Sequence, residues 1–378
     1  MKLFRVVLLA AVLVACGDDG GPLLPGHEQP ADRCVLAVVT SDYRSSSISL
    51  LAADGTTCNS DVLHSGSHEP GLVTALSGDI VLPTSASESR EVVIIDRGNG
   101  VLTTLDVDRG VVTRQLSVVG TVGNPQDAIV DGDTLLVSQL QGDGADLVRL
   151  DRDGHLREAI DLAAAADPGF APEPTRLART GTTTWVGLAH LSPDFTSAAG
   201  PGRIVALEAG SREPIVIAIP GRVNCAHVAA APDGSGVWVA CTGFFQDGYA
   251  AQTARSGLAF VDRDHVVRWD PNQLLDAPVG FTLAPLDADR VLAVAIPADA
   301  GGKDRLVMID RRVDTVTELL QADGFTIGAA LVTHDHILVT IADRDDPRIE
   351  RLDLRLGAES PIRSISKSGL EPRQIAHF

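Results

Sequence analysis

Aromatic side chains are scarce in this chain. Of 378 residues, 4% are Phe, Trp or Tyr, with only three Trp and two Tyr. Basic residues are few as well: 31 Lys and Arg stand against 50 Asp and Glu, a formal net charge of −19. A field of that sign repels phosphate backbones, and no basic cluster breaks it, so nucleic acid is not expected as a partner. The acidity reads as solubility. The apolar stretch Val6 to Val14 is well short of the roughly 20 residues that cross a bilayer. No convincing amphipathic helix is present. The best candidate, Glu158 to Ala166, is short and flanked by Asp167-Pro168. Five Cys occur without a C-x-x-C pair, so the usual zinc spacings are missing. There is no G-x-S-x-G, no G-x-x-x-x-G-K-[ST], no H-E-x-x-H, and no G-x-G-x-x-G on a strand-to-helix turn. On these grounds no catalytic residue, metal set or cofactor is expected.

The start of the chain is more informative. Lys2 and Arg5 precede the apolar stretch, which ends in Leu13-Val14-Ala15-Cys16. A positive end, a short apolar segment and a small residue form a secretory signal. The Ala-Cys junction resembles the lipobox of bacterial lipoproteins. That resemblance implies a signal peptide over 1–15, lipidation of Cys16 and contact with a membrane through the lipid. Gly17, rather than Asp, follows the Cys, which resembles the outer-membrane sorting class, so a cell-envelope, outer-membrane location is expected. Residues 16–33 are rich in Gly, Pro and Asp and read as a flexible tether.

From Cys34 to Phe378 the chain is a series of short Val, Ile, Leu, Thr and Ala runs, punctuated by Asp, Gly and Asn. That is the pattern of an all-β fold. An aliphatic-acid pair recurs at Leu105-Asp106, Leu150-Asp151, Leu207-Glu208, Val261-Asp262, Ile309-Asp310 and Leu352-Asp353, spaced 43 to 57 residues apart. A strand start precedes each pair: Glu69-Pro70, Asn124-Pro125, Glu173-Pro174, Asn224-Cys225, Pro278-Val279 and Phe325-Thr326. A period near 50 with about four strands per unit predicts a β-propeller. A seventh start, Glu371-Pro372, has no sheet after it. At the other end, Val35 to Val39, Ile48 to Leu51 and Ser60 to His64 lack a first strand. The two fragments make one blade. The expectation over 34–378 is thus a seven-bladed β-propeller, closed by the C-terminal strand joining the N-terminal blade. The segment Ile80 to Val118 departs from the pattern, with an extra hairpin turning at Asn99-Gly100.

Cys225 and Cys241 are equidistant from a turn centred on Asp233, so they face each other across two antiparallel strands and are expected to form a disulfide. By elimination Cys34 pairs with Cys58.

Asn124-Pro125-Gln126-Asp127-Ala128-Ile129 and Val148-Arg149-Leu150-Asp151 resemble the repeats of bacterial YVTN-repeat and lactonase-like propellers. Thr40-Ser41-Asp42-Tyr43 and Val239-Ala240-Cys241-Thr242-Gly243-Phe244 resemble predicted propeller lipoproteins. The likeness covers about Cys34 to Phe378. It implies the fold, and for the lactonase-like and gluconolactonase-like members a divalent metal held by acids and Asn in the funnel. Fold of this kind does not carry function, because propellers host unrelated activities.

First strands line the central channel, so the residues that open them gather at one funnel mouth: Glu69, Asp127, Arg176, His227 and Arg373. Two Arg would repel a metal and suit a carboxylate or phosphate. Two long loops, Leu191 to Gly202 and Thr242 to Ser256, open on the same face and hold Phe195, Phe244, Phe245 and Tyr249. Aromatics on loops are contact anchors. The expected ligand-binding set is Glu69, Asp127, Arg176, His227, Phe244, Phe245, Tyr249 and Arg373. His334-Asp335-His336 and Asp151-Arg152-Asp153-Gly154 read as polar turns. The leading function is a lipid-anchored module that binds a protein or small molecule. The alternative is a metal-dependent lactonase. A quinone-cofactor dehydrogenase is weaker still, since its repeated Trp motifs are absent.

Overall fold

Runs such as Val92-Val93-Ile94-Ile95 and Val237-Trp238-Val239 are apolar at every position. Alternate side chains of a strand point to opposite faces, so such a strand needs cover on both sides. The computed structural model supplies that cover by placing each sheet between two others. It describes residues 33–378 apart from 87–89, 121–122, 143, 212, 272–273, 354–356, 360 and 364. The expected signal peptide, Cys16 and nearly all of the tether lie outside the described residues. Among them, no helix is long and apolar enough to cross a membrane.

Seven four-stranded antiparallel sheets form a ring of blades. Seven apolar clusters fill the seven gaps, each drawing on two neighbouring blades. In the second strand of blade 1, Cys34–Ser41, Ala37 and Val39 face blade 2 and meet Val92 and Ile94. Leu36 and Val38 face the other way and meet Leu338 and Ile349 of blade 7. Each such side chain contributes about 1.5–3 kcal/mol on burial.

The ring closes as expected. Pro372–His377 pairs antiparallel with Cys34–Ser41, with Leu36 opposite His377 and Val38 opposite Ile375. Ser46–Ala52 and Thr57–His64 complete the blade. The other blades open with Ile80–Val81, Asn124–Asp131, Pro174–Thr180, His227–Ala230, Val279–Pro285 and Ile327–Val332. Every first strand starts on one face of the ring, and the turns between second and third strands lie on that face too. The second strand of blade 1 runs oppositely, so Cys34 lies beside the end of Pro372–His377, on the face away from the funnel.

Two local expectations change, and the weak helix candidate forms no α-helix. Blade 2 has four strands and no extra hairpin: Ile80–Val81, Glu91–Asp96, Val101–Asp106 and Val111–Ser117. Asn99-Gly100 belongs to a four-residue turn between the paired Asp96 and Val101. Glu69-Pro70 does not open a strand, because Gly71 follows at φ 93° and turns the chain. Glu158 to Ala166 divides into the strand Leu156–Ile160 and a single 3-10 turn, Ala163–Ala165. So few residues cannot offset helix nucleation, and the buried Asp146 carboxylate holds the Leu162 N–H at 2.6 Å instead. The one α-helix among the described residues, Tyr249–Arg255, lies inside the loop Thr242 to Ser256.

Cys225 and Cys241 form a buried disulfide. Cys34 and Cys58 are free thiols in the structure, not the second bond that elimination gave. They nevertheless lie close together: burial and then the neighbouring Cys34 thiol push the Cys58 thiol up to about 12. Cys34 stands at the start of its strand and Cys58 at an irregular register of the outermost strand, two strands away.

Candidate functional site

One position of the first strand recurs around the channel. It falls two residues after Pro125, Pro174, Cys225, Val279 and Pro372, and holds Asp127, Arg176, His227, Phe281 and Gln374. Seven first strands packed side by side leave little room there, so these side chains bond to the neighbouring blade. The Gln374 amide accepts from Leu82 N at 2.7 Å and donates to Leu82 O at 3.0 Å. Asp127 is wholly buried. One of its oxygens accepts from Leu177 N of blade 4 at 2.9 Å, the other from Thr84 N of blade 2 at 3.0 Å. Its carboxylate thereby ties three blades. Burial pushes its pKa up, against the opposing pull of Arg176 and of the N–H groups.

Arg176 differs from its neighbours. Its guanidinium reaches only two backbone carbonyls, Gln126 O at 3.3 Å and Leu82 O at 3.4 Å. No carboxylate of the described residues comes within 4.0 Å. Burial disfavours its charge and Asp127 supports it from a distance. Beside it, the His227 ring lies 5.2 Å from that of Phe281. Burial and then the Arg176 charge push His227 down to about 3, so it is neutral at neutral pH. Gln126 and Arg97 complete this wall. Arg97 pairs with Asp79 and points Nη1 toward Gln126 Oε1 at 3.4 Å.

His227 has a consequence for stability. The unfolded imidazole takes a proton below about pH 6.5, whereas the folded one stays neutral until about 3. The unfolded state therefore binds more protons in that window, and stability falls as pH drops through it. We expect the melting temperature to decline from pH 7 to pH 4, and His227→Gln to recover part of that decline. An unchanged pH slope in the variant would show that another group sets it.

The other expected ligand-binding residues are placed less favourably. Arg373 is one residue from the channel position. It donates to Ser41 O at 3.1 Å, pairs with Glu371, and lies 4.9 Å over the Tyr43 ring on the rim. Glu69 is exposed in the connection from His64 to Ile80, away from the channel. Phe244 is 3% exposed and packs under its loop, so it is not a contact residue; Phe245 is 70% exposed. Tyr249 opens the short helix and donates its hydroxyl to Ile296 O at 3.1 Å, which fixes the loop to blade 6. Sequence reasoning missed Phe281 and Gln374, although both sit at the same offset as Arg176.

Two groups among the described residues could hold a cation: Asp151, Asp153 and His155, and His336, Asp353 and Glu359. Both lie at strand ends on the face away from the funnel. In the second, Arg351 already pairs with Glu359.

No family model and no curated protein matches this chain. Solved structures do match. A putative 6-phosphogluconolactonase from Bacteroides uniformis superposes with TM-score 0.59 at 13% identity, over 92% of this chain and 100% of that one. Streptogramin B lyase gives 0.55 at 13%, over 82% and 97%. Dihydro-heme d1 dehydrogenase NirN gives 0.52 at 14%, over 94% and 77%. At such identity the likeness establishes the propeller fold and nothing finer.

Proposed function

We propose that this propeller is a lipid-anchored binding module whose channel mouth takes an anionic group, a carboxylate or a phosphate. The observation that carries the reading is Arg176, an interior guanidinium without an acid partner, beside a neutral His227 and the exposed ring of Phe281. A guanidinium in a partly desolvated site forms strong bidentate bonds to such anions. The anchor rests on the lipobox-like run ending in Cys16. A metal-dependent lactonase fits this channel less well, because Asp127 is engaged by backbone N–H groups and Arg176 repels a cation.

The test is thermal stabilisation of the full chain by acetate, succinate and phosphate monoesters. A ligand at 100 times its dissociation constant adds about 2.7 kcal/mol to folding. We expect at least one anion to raise the melting temperature of wild type and not of Arg176→Gln. Equal shifts in both proteins, or none in either, would remove the channel site. Cys16→Ala is expected to leave the membrane fraction. Stoichiometric divalent metal together with lactone hydrolysis would favour the enzyme instead.

A further inference from the structure

Aromatic rings are scarce here. Among the described residues four are well exposed: Tyr43 at 66%, Phe245 at 70%, Phe281 at 67% and Phe325 at 53%. All four lie on the funnel face. Tyr43 is in the turn between Cys34–Ser41 and Ser46–Ala52, and Phe245 is in the loop after Gly236–Cys241. Phe281 is near the start of Val279–Pro285, and Phe325 immediately precedes Ile327–Val332. They belong to blades 5, 6, 7 and 1, which are consecutive around the ring. Tyr43 and Phe325 are also held at positive φ, 65° and 64°, a conformation that costs a bulky residue energy.

We infer that this aromatic arc docks a segment of a protein partner that lays apolar side chains on the four rings and directs a carboxylate to Arg176. The inference rests on the anion-binding reading of the channel. Exposed aromatics of this size are the usual anchors of protein contacts. Rings contributed by four separate blades match a chain segment with several apolar side chains. The net charge of −19 opposes both nucleic acid and anionic lipid. The unpaired Arg176 beside the arc supplies the complementary charge for an acid among apolar residues.

The probe is an array of nine-residue peptides with a central Glu flanked by Leu and Phe, and matched arrays with Gln or Lys at the centre. They are read against the full-length protein by fluorescence anisotropy. We expect binders in the Glu array, with the matched Gln and Lys peptides at least about tenfold weaker. Tyr43→Ser with Phe325→Ser should weaken peptide binding by about tenfold or more, with the melting temperature and stabilisation by small anions unchanged. Arg176→Gln should lose both. If the double variant binds peptides as wild type does, the arc is not a docking surface, and the channel reading stands alone. If Gln peptides bind as well as Glu peptides, Arg176 plays no part in the contact. If the rings instead drive binding to phosphatidylcholine vesicles, the partner is a membrane and the inference fails.

Discussion

Removal of residues 370–378 is expected to abolish soluble, monomeric protein. This segment supplies the first strand of blade 1 and pairs with Cys34–Ser41 from Leu36 to Thr40. Its loss takes Ile375, which is 5% exposed, out of the cluster shared by blades 7 and 1. It also removes the Gln374 amide that holds Leu82 of blade 2. Deleting one buried Ile side chain costs about 2–5 kcal/mol. An unpaired strand edge and an opened ring come on top. The sum rivals the 5–15 kcal/mol that typically holds a domain together. The exposed edge would carry Leu36 and Val38 as an apolar template for aggregation. Soluble yield, size-exclusion profile and melting temperature report the outcome. A synthetic peptide of residues 370–378 should restore part of the loss. A truncated chain that melts like the intact one would show that closure contributes nothing.

Asp127→Ala should be the most damaging single substitution at the channel. Three backbone N–H groups, of Leu177, Thr84 and Ala128, lose an acceptor. Each buried donor left unpaired costs about 1–3 kcal/mol. The Arg176 charge loses its nearest support as well. We expect a loss of about 2–5 kcal/mol in a denaturant titration. Asp127→Asn keeps one acceptor oxygen and should fall between the two. If Ala and Asn variants both unfold at the wild-type midpoint, water replaces the carboxylate without cost, and three-blade tethering is not a source of stability.

The fold was legible because its physics repeats. A blade covered on both sides is apolar at consecutive positions, and six acid-containing turns are set apart by five intervals near 50 residues. Closure was legible from a mismatch: a strand start without a sheet at one end, and a sheet without a first strand at the other. Blade 2 misled because Glu69-Pro70 has the composition of Glu173-Pro174, while Gly71 at positive φ decides the local path. Asp127, Arg176 and His227 were found because a polar residue inside an apolar strand is conspicuous. Phe281 was not, because an aromatic in an apolar run looks like core. Pro372 sets the register of the last strand, which puts Gln374, one residue beyond Arg373, at the channel position. Nothing in the pair Phe244-Phe245 distinguishes a buried ring from an exposed one.

The position of Cys34 carries a consequence for how this molecule is presented. Its strand begins on the face away from the funnel, so whatever precedes it leaves from that side. The chain thus enters the ring on one face, while the exposed rings of Tyr43, Phe245, Phe281 and Phe325 lie on the other, so an attachment made ahead of Cys34 would leave the funnel mouth unobstructed.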